Sequence, residues 1–103
     1  MSVLVEFAIF PTDKGDSVSS EVSKVIDLIR ESGYNYQLTA MGTLLETDTM
    51  AQALEVVNQS HDILAENSNR IYCTMNIDSQ KGKDNRLKTK VEAIEEKIGK
   101  VSR

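Results

Sequence analysis

The 103-residue sequence predicts an α+β fold, a ferredoxin-like βαββαβ sandwich with an additional C-terminal helix, as a single domain over residues 1–103. Three observations carry this. Several short segments alternate apolar and polar residues at period two, as strands do. Two longer segments between them repeat apolar residues at helical period. The order along the chain is β-α-β-β-α-β-α, and right-handed crossovers then put the first two helices on one side of a four-stranded antiparallel sheet.

Val3 to Phe10 alternates, with Val3, Val5, Phe7 and Ile9 on one face and Leu4, Glu6, Ala8 and Phe10 on the other. Both faces are largely apolar, which marks a central strand. Pro11 ends it, since proline donates nothing to a ladder. A turn-rich loop leads to a helix over about Val18–Ser32, with Ser17 or Asp16 as N-cap and Gly33 as C′ residue. Its apolar stripe is Val18, Val22, Val25, Ile26 and Ile29.

Tyr34 to Met41 alternates again, Gly42 marks a tight turn, and Thr43 to Glu46 completes a hairpin. Thr47 or Asp48 is placed to cap a second helix over about Thr49–Asn67, whose inner stripe reads Met50, Ala53, Leu54, Val57, His61 and Leu64. In the strand Arg70–Asp78, the residues Ile71, Cys73, Met75 and Ile77 point toward the helices. Ser79 to Lys83 reads as a flexible connection. A last helix runs from Asp84 or Asn85 to about Gly99, with Leu87, Val91, Ile94, Ile98 and Val101 as a narrow seam that implies a thin contact, partly against another subunit.

Composition excludes several classes. A single cysteine cannot form a disulfide within the chain, and Cys-type zinc or iron–sulfur sites need more thiols. No apolar stretch approaches the roughly 20 residues of a membrane helix. The N-terminus lacks a basic, signal-like region, so the expected location is the cytoplasm, with no membrane partner. Net charge is −4, and residues 70–103 hold 9 of the 12 Lys and Arg residues. That asymmetry is read as a solvated helix face or attraction between subunits. A basic aromatic surface for nucleic acid is missing, and no nucleic-acid partner is expected.

The sheet face away from the first two helices carries Leu4, Glu6, Phe10, Gln37, Thr39, Leu44, Glu46, Tyr72, Thr74, Asn76 and Asp78. Apolar groups among carboxylates and amides on this scale meet a partner, and a second copy of the chain is the simplest one.

On these residues the chain resembles the small thiamine-binding protein family, YkoF-like proteins formerly known only as uncharacterised ferredoxin-like proteins. The likeness spans nearly the whole chain. It rests on Phe10-Pro11 through Gly15 and Ser17, on Met41-Gly42-Thr43 with Glu46 three residues on, on Arg70 through Ile77-Asp78, and on the length. The resemblance implies a homotetramer, a dimer of dimers with sheets packed together, that holds thiamine or its hydroxymethylpyrimidine moiety between subunits. It also leads one to expect an arginine shortly after Asp78, where Lys81 and Lys83 stand instead.

Thiamine has a flat aminopyrimidine and a cationic thiazolium. A binder needs donors and acceptors for the ring edge, an apolar or aromatic cover, and negative charge. The candidate ligand-binding residues are Glu6, Thr43, Glu46, Tyr72, Thr74 and Asn76, with no catalytic residue, no metal ligand and no cofactor beyond thiamine itself as ligand. For Thr43 and Glu46 the other reading is hairpin polarity, and for Glu6 a salt bridge between subunits. Two further functions stay open: a small oligomeric enzyme using a sheet-face carboxylate, and an assembly module without ligand. His61 is expected to be a half-buried packing residue and Cys73 an inert core thiol.

Overall fold

Ten consecutive residues of alternating pattern, Ser2–Pro11, form β1, and its odd-numbered side chains build the floor of the core. The computed structural model describes residues 1–103. After β1 come α1 (Ser19–Glu31), β2 (Asn35–Leu38), β3 (Thr43–Thr47), α2 (Met50–Ala65), β4 (Ile71–Gln80) and α3 (Arg86–Ile98). The sheet order is β2-β3-β1-β4, and every neighbouring pair is antiparallel. This is the expected α+β sandwich with a third helix added at its C-terminal end.

Val3, Val5, Phe7, Ile9 and Leu45 meet Val25 and Ile29 of α1 and Ala53, Val56, Val57 and Leu64 of α2 in one apolar cluster. Burial of each of these side chains other than Ala53 contributes roughly 1.5–3 kcal/mol before entropy is counted.

Helix caps and faces differ from expectation in particular places. The N-cap of α1 is Val18, with no side-chain cap; Ser17 and Asp16 lie outside it. Thr49, not Thr47 or Asp48, caps α2. Its hydroxyl accepts from Gln52 N at 3.1 Å while the Gln52 side chain accepts from Thr49 N at 3.1 Å, a reciprocal capping box. The inward face of α2 is turned as well: Val56 and Ser60 are buried, whereas Met50, Leu54 and His61 are exposed. Ser60 is tolerated there because its hydroxyl donates to Val56 O at 2.7 Å.

β2 is shorter than its alternation suggests. From Thr39 the chain turns: Thr39 N donates to Gly42 O at 2.9 Å, and the Thr39 hydroxyl bonds the same carbonyl at 2.8 Å. Gly42 is required by space. A Cβ there would stand 2.9 Å from the Phe7 carbonyl oxygen. Ser79 and Gln80, expected in a flexible connection, extend β4 and pair with Val3 and Ser2.

β4 points as expected but is buried far less. It is an edge strand, and Ile71 is the β4 residue packed against the core cluster. Met75 and Ile77 keep 42% and 37% of their surface exposed, and Cys73 is exposed too, although all three face the helix side. Cys73 is therefore not a core thiol, even though partial burial still raises its pKa.

Candidate functional site

Strand pleating sets the site. Even-numbered residues of β1 and β4 lie on the face away from α1 and α2, in the cross-strand pairs Leu4–Asp78, Glu6–Asn76, Ala8–Thr74 and Phe10–Tyr72. On the other flank of β1, Leu4 stands opposite Glu46 and Glu6 opposite Leu44. Asn76 Nδ2 donates to Glu6 Oε1 at 3.4 Å, a long hydrogen bond. Glu6 has no cation within salt-bridge distance, so its charge remains available. The Phe10 and Tyr72 rings are tilted against each other with centroids 5.9 Å apart, which leaves Tyr72 54% exposed at the far end of the face.

α3 lies over one end of this face. Leu87 and Val91 of α3, with Leu4 and Leu44 of the sheet, wall a cleft of about 400 Å³ whose polar groups include Glu6, Asn76 and Lys90. That volume is within the range of small-molecule sites. The far half of α3 contributes little, since Ile94 and Ile98 are exposed.

The attachment of α3 explains where Glu46 goes. Its carboxylate is 8% exposed and accepts from Arg86 N at 2.8 Å, from Leu87 N at 3.1 Å and from the Ser2 hydroxyl. Asn85, the residue at the N-cap position, has φ 54° and caps nothing with its side chain. A glutamate from a distant strand therefore supplies the acceptors that the first amides of α3 need. Burial pushes the Glu46 carboxyl up. The Ser2 hydroxyl, the two amides and the Arg86 charge outweigh that and hold it below the usual carboxylate range.

Arg86 completes the attachment. Only 4% exposed, it donates through Nε to the Ser2 hydroxyl at 3.0 Å and through Nη2 to the carbonyls of Ser2 at 2.8 Å and Asp78 at 2.6 Å. Nη1 meets Asp78 Oδ2 at 3.0 Å, and Lys90 Nζ reaches the same oxygen at 3.3 Å. Hydrogen bonds from Lys90 and Arg86 keep the Asp78 carboxyl low. The arginine that meets Asp78 comes from α3, while Lys81 and Lys83 stand in the segment just after Asp78. In the sequence nothing separates Arg86 from the neighbouring Lys88 and Lys90, and reading the chain alone missed it, together with Ser2.

The six candidate residues are not all in one place. Glu6, Thr74, Asn76 and Tyr72 share the open face, and Glu6 and Asn76 touch. Glu46 belongs to that face but is engaged by α3. Thr43 stands opposite Phe7 on the helix side, where it borders a second, mostly apolar cavity of about 190 Å³ between β1, α1 and the Thr39–Gly42 turn. No cluster of three or more His, Cys, Asp or Glu side chains is arranged to hold a metal ion, and no helix is long and apolar enough to cross a membrane.

Comparison with known proteins places this geometry in context. The model of the family described as "Thiamine-binding protein" matches residues 5–95. A UPF0045 protein of Methanothermobacter thermautotrophicus is 35% identical over 83 residues, covering 80% of this chain and 84% of the relative. The crystal structure of a hypothetical protein from Methanocaldococcus jannaschii superposes with a TM-score of 0.82 at 33% identity, covering 92% of this chain and 97% of that one. A Thermotoga maritima structure, described as a thiamine biosynthesis/salvage protein by conjecture, gives a TM-score of 0.78 at 18% identity over 91% of this chain and 99% of that one. At that identity the likeness concerns the fold.

Proposed function

We propose, from the premise that the chain belongs to the thiamine-binding protein family, that it binds thiamine or its hydroxymethylpyrimidine moiety without catalysis, in the cleft on the open sheet face. The observation that carries this is the Glu6–Asn76 pair, a carboxylate without a cation beside a carboxamide, set between the apolar walls Leu4 and Leu44. The carboxylate accepts from an exocyclic amine and attracts a cation. The amide offers both a donor and an acceptor to a ring edge. Leu4, Leu44 and Val91 cover the flat faces. Tyr72 and Thr74 extend the same wall. The family's description as thiamine-binding supports the ligand class.

The cleft is open on one side, and the bare remainder of the sheet around Tyr72 and Thr74 is suited to cover by further copies of the chain. A homotetramer built as a dimer of dimers is the assembly this reading favours. Calorimetric titration with thiamine, with hydroxymethylpyrimidine alone and with the thiazole alone tests the ligand. Binding of thiamine and of the pyrimidine is expected. No heat from any of the three at millimolar concentration overturns the proposal.

A further inference from the structure

We infer that the cavity between β1, α1 and the Thr39–Gly42 turn is a second ligand site, which takes a small uncharged ring compound with one hydrogen-bonding group and holds that group on the Thr43 hydroxyl. The site lies on the helix side of the sheet, and the inference is independent of what the cleft on the open face binds.

The first observation is the make-up of the walls. Phe7 and Ile9 of β1, Val22 and Ile26 of α1, and Leu38 and Met41 of the hairpin bound most of the space, and no charged side chain lines it. An ion entering would give up its water and find no counter-charge, so the walls select a neutral guest. The cavity measures about 190 Å³. An apolar cavity of about 150 Å³ takes up benzene, so the space here suits one six-membered ring with a substituent. The cleft on the open face differs in kind, since the Glu6 carboxylate and the Lys90 ammonium are among its lining groups.

The second observation is a hydroxyl left over. Thr43 is 5% exposed and stands opposite Phe7 in the ladder, so its side chain points to the helix side. The threonines before and after it settle their hydroxyls: Thr39 donates to Gly42 O and Thr47 to Thr49 O, both at 2.8 Å. The Thr43 hydroxyl bonds to nothing within the chain. Nor is it sealed in, because the one side-chain polar atom both sealed and unpaired is Ser68 Oγ. It therefore opens onto free space, and the free space on its side of the sheet is this cavity. A buried polar group without a partner is costly, and valine would hold the position with nearly the same shape and no such cost. A hydroxyl both donates and accepts, so it can meet either kind of polar atom on a guest.

The third observation is the way in. Leu38 and Met41 border the cavity and are both exposed, so its outer wall is the tip of the hairpin. Methionine is unbranched and flexible, and its side chain adapts to the outline of a guest. Gly42 beside it has no Cβ and lets the turn lie close against the Phe7 carbonyl, which closes the inner end of the same wall. A guest can therefore enter past one mobile side chain while the β1–β3 ladder stays paired.

Phenol and toluene, rings of nearly equal size that differ by a hydroxyl, test the site. Phenol is expected to bind the unmodified protein and to shift the methyl resonances of Val22, Ile26 and Met41. Thr43→Val is expected to weaken phenol about tenfold, or about 1.4 kcal/mol, and to leave toluene within about twofold, with an unchanged circular dichroism spectrum. Saturating thiamine is expected to leave the phenol affinity as it was. The inference is overturned if phenol does not bind at millimolar concentration, or if Thr43→Val binds it as tightly as the unmodified protein. It is overturned as well if phenol shifts only Leu4, Leu44 and Val91, which line the open-face cleft, or if thiamine displaces phenol, since one site then serves both. Should Thr43→Val not fold, the methyl shifts of the unmodified protein decide. Absence of thiamine binding bears on the cleft alone.

Discussion

The Glu46 carboxylate and the Arg86 backbone amide lie 2.8 Å apart across 40 positions of sequence, and through that contact β3 holds the start of α3. With Leu87 N and the Ser2 hydroxyl also donating, one buried carboxylate joins the first strand, the third strand and the last helix.

Replacing Glu46 with Gln tests the joint. The amide keeps one acceptor but loses the charge and turns an NH₂ group toward the donors. A hydrogen bond to a charged group contributes about 1.5–3 kcal/mol, and a loss of that order is expected in urea unfolding. Amide exchange should quicken first in α3, while β1 keeps its protection.

Acid should act on the same contact. The Glu46 carboxyl titrates lower in the folded chain than its usual value of 4.5, so the unfolded chain takes up the proton first. Its contribution is complete above that value and fades as pH falls through the lower, folded pKa. Stability measured from pH 6 down to pH 3 is expected to drop, with a shallower drop in Glu46→Gln.

At the cleft, Glu6→Gln should weaken thiamine binding by about tenfold, equivalent to about 1.4 kcal/mol, and weaken the uncharged pyrimidine less. Equal affinity of the variant for thiamine, read by calorimetry, would remove Glu6 from the site. Glu6 is exposed, so the unfolding midpoint should stay where it is.

Gly42→Ala should destabilise the chain by about 1–3 kcal/mol, since the added methyl group meets the Phe7 carbonyl and the hairpin must shift. Gly15→Ala, where a Cβ meets nothing within 4 Å but φ is +80°, isolates backbone strain from crowding. Comparing their denaturation midpoints separates the two effects.

Pleating made much of this legible in the sequence. The alternation of Val3–Phe10 placed Glu6 on the open face, and that of Arg70–Asp78 placed Asn76 beside it. What alternation does not encode is position within the sheet. Cys73, Met75 and Ile77 have the pattern of core residues, and only the strand order reveals them at an edge. Helical period likewise offered His61 and Leu54 for the inner face of α2, because a serine that satisfies its own hydroxyl, as Ser60 does, is invisible to an apolar count. The joint of Ser2, Glu46, Asp78 and Arg86 was hidden for a further reason: its members come from four separate elements, and each looks like an ordinary surface residue in its own segment.

α3 is fastened at its first turn and leaves Ile98 74% exposed at its far end. It is hung like a door whose hinges all lie near one end, at Arg86, Leu87 and Lys90. Swinging outward about that end would widen the groove beneath it without breaking one rung of the sheet, so access to the groove and the integrity of the scaffold would be governed by different sets of bonds.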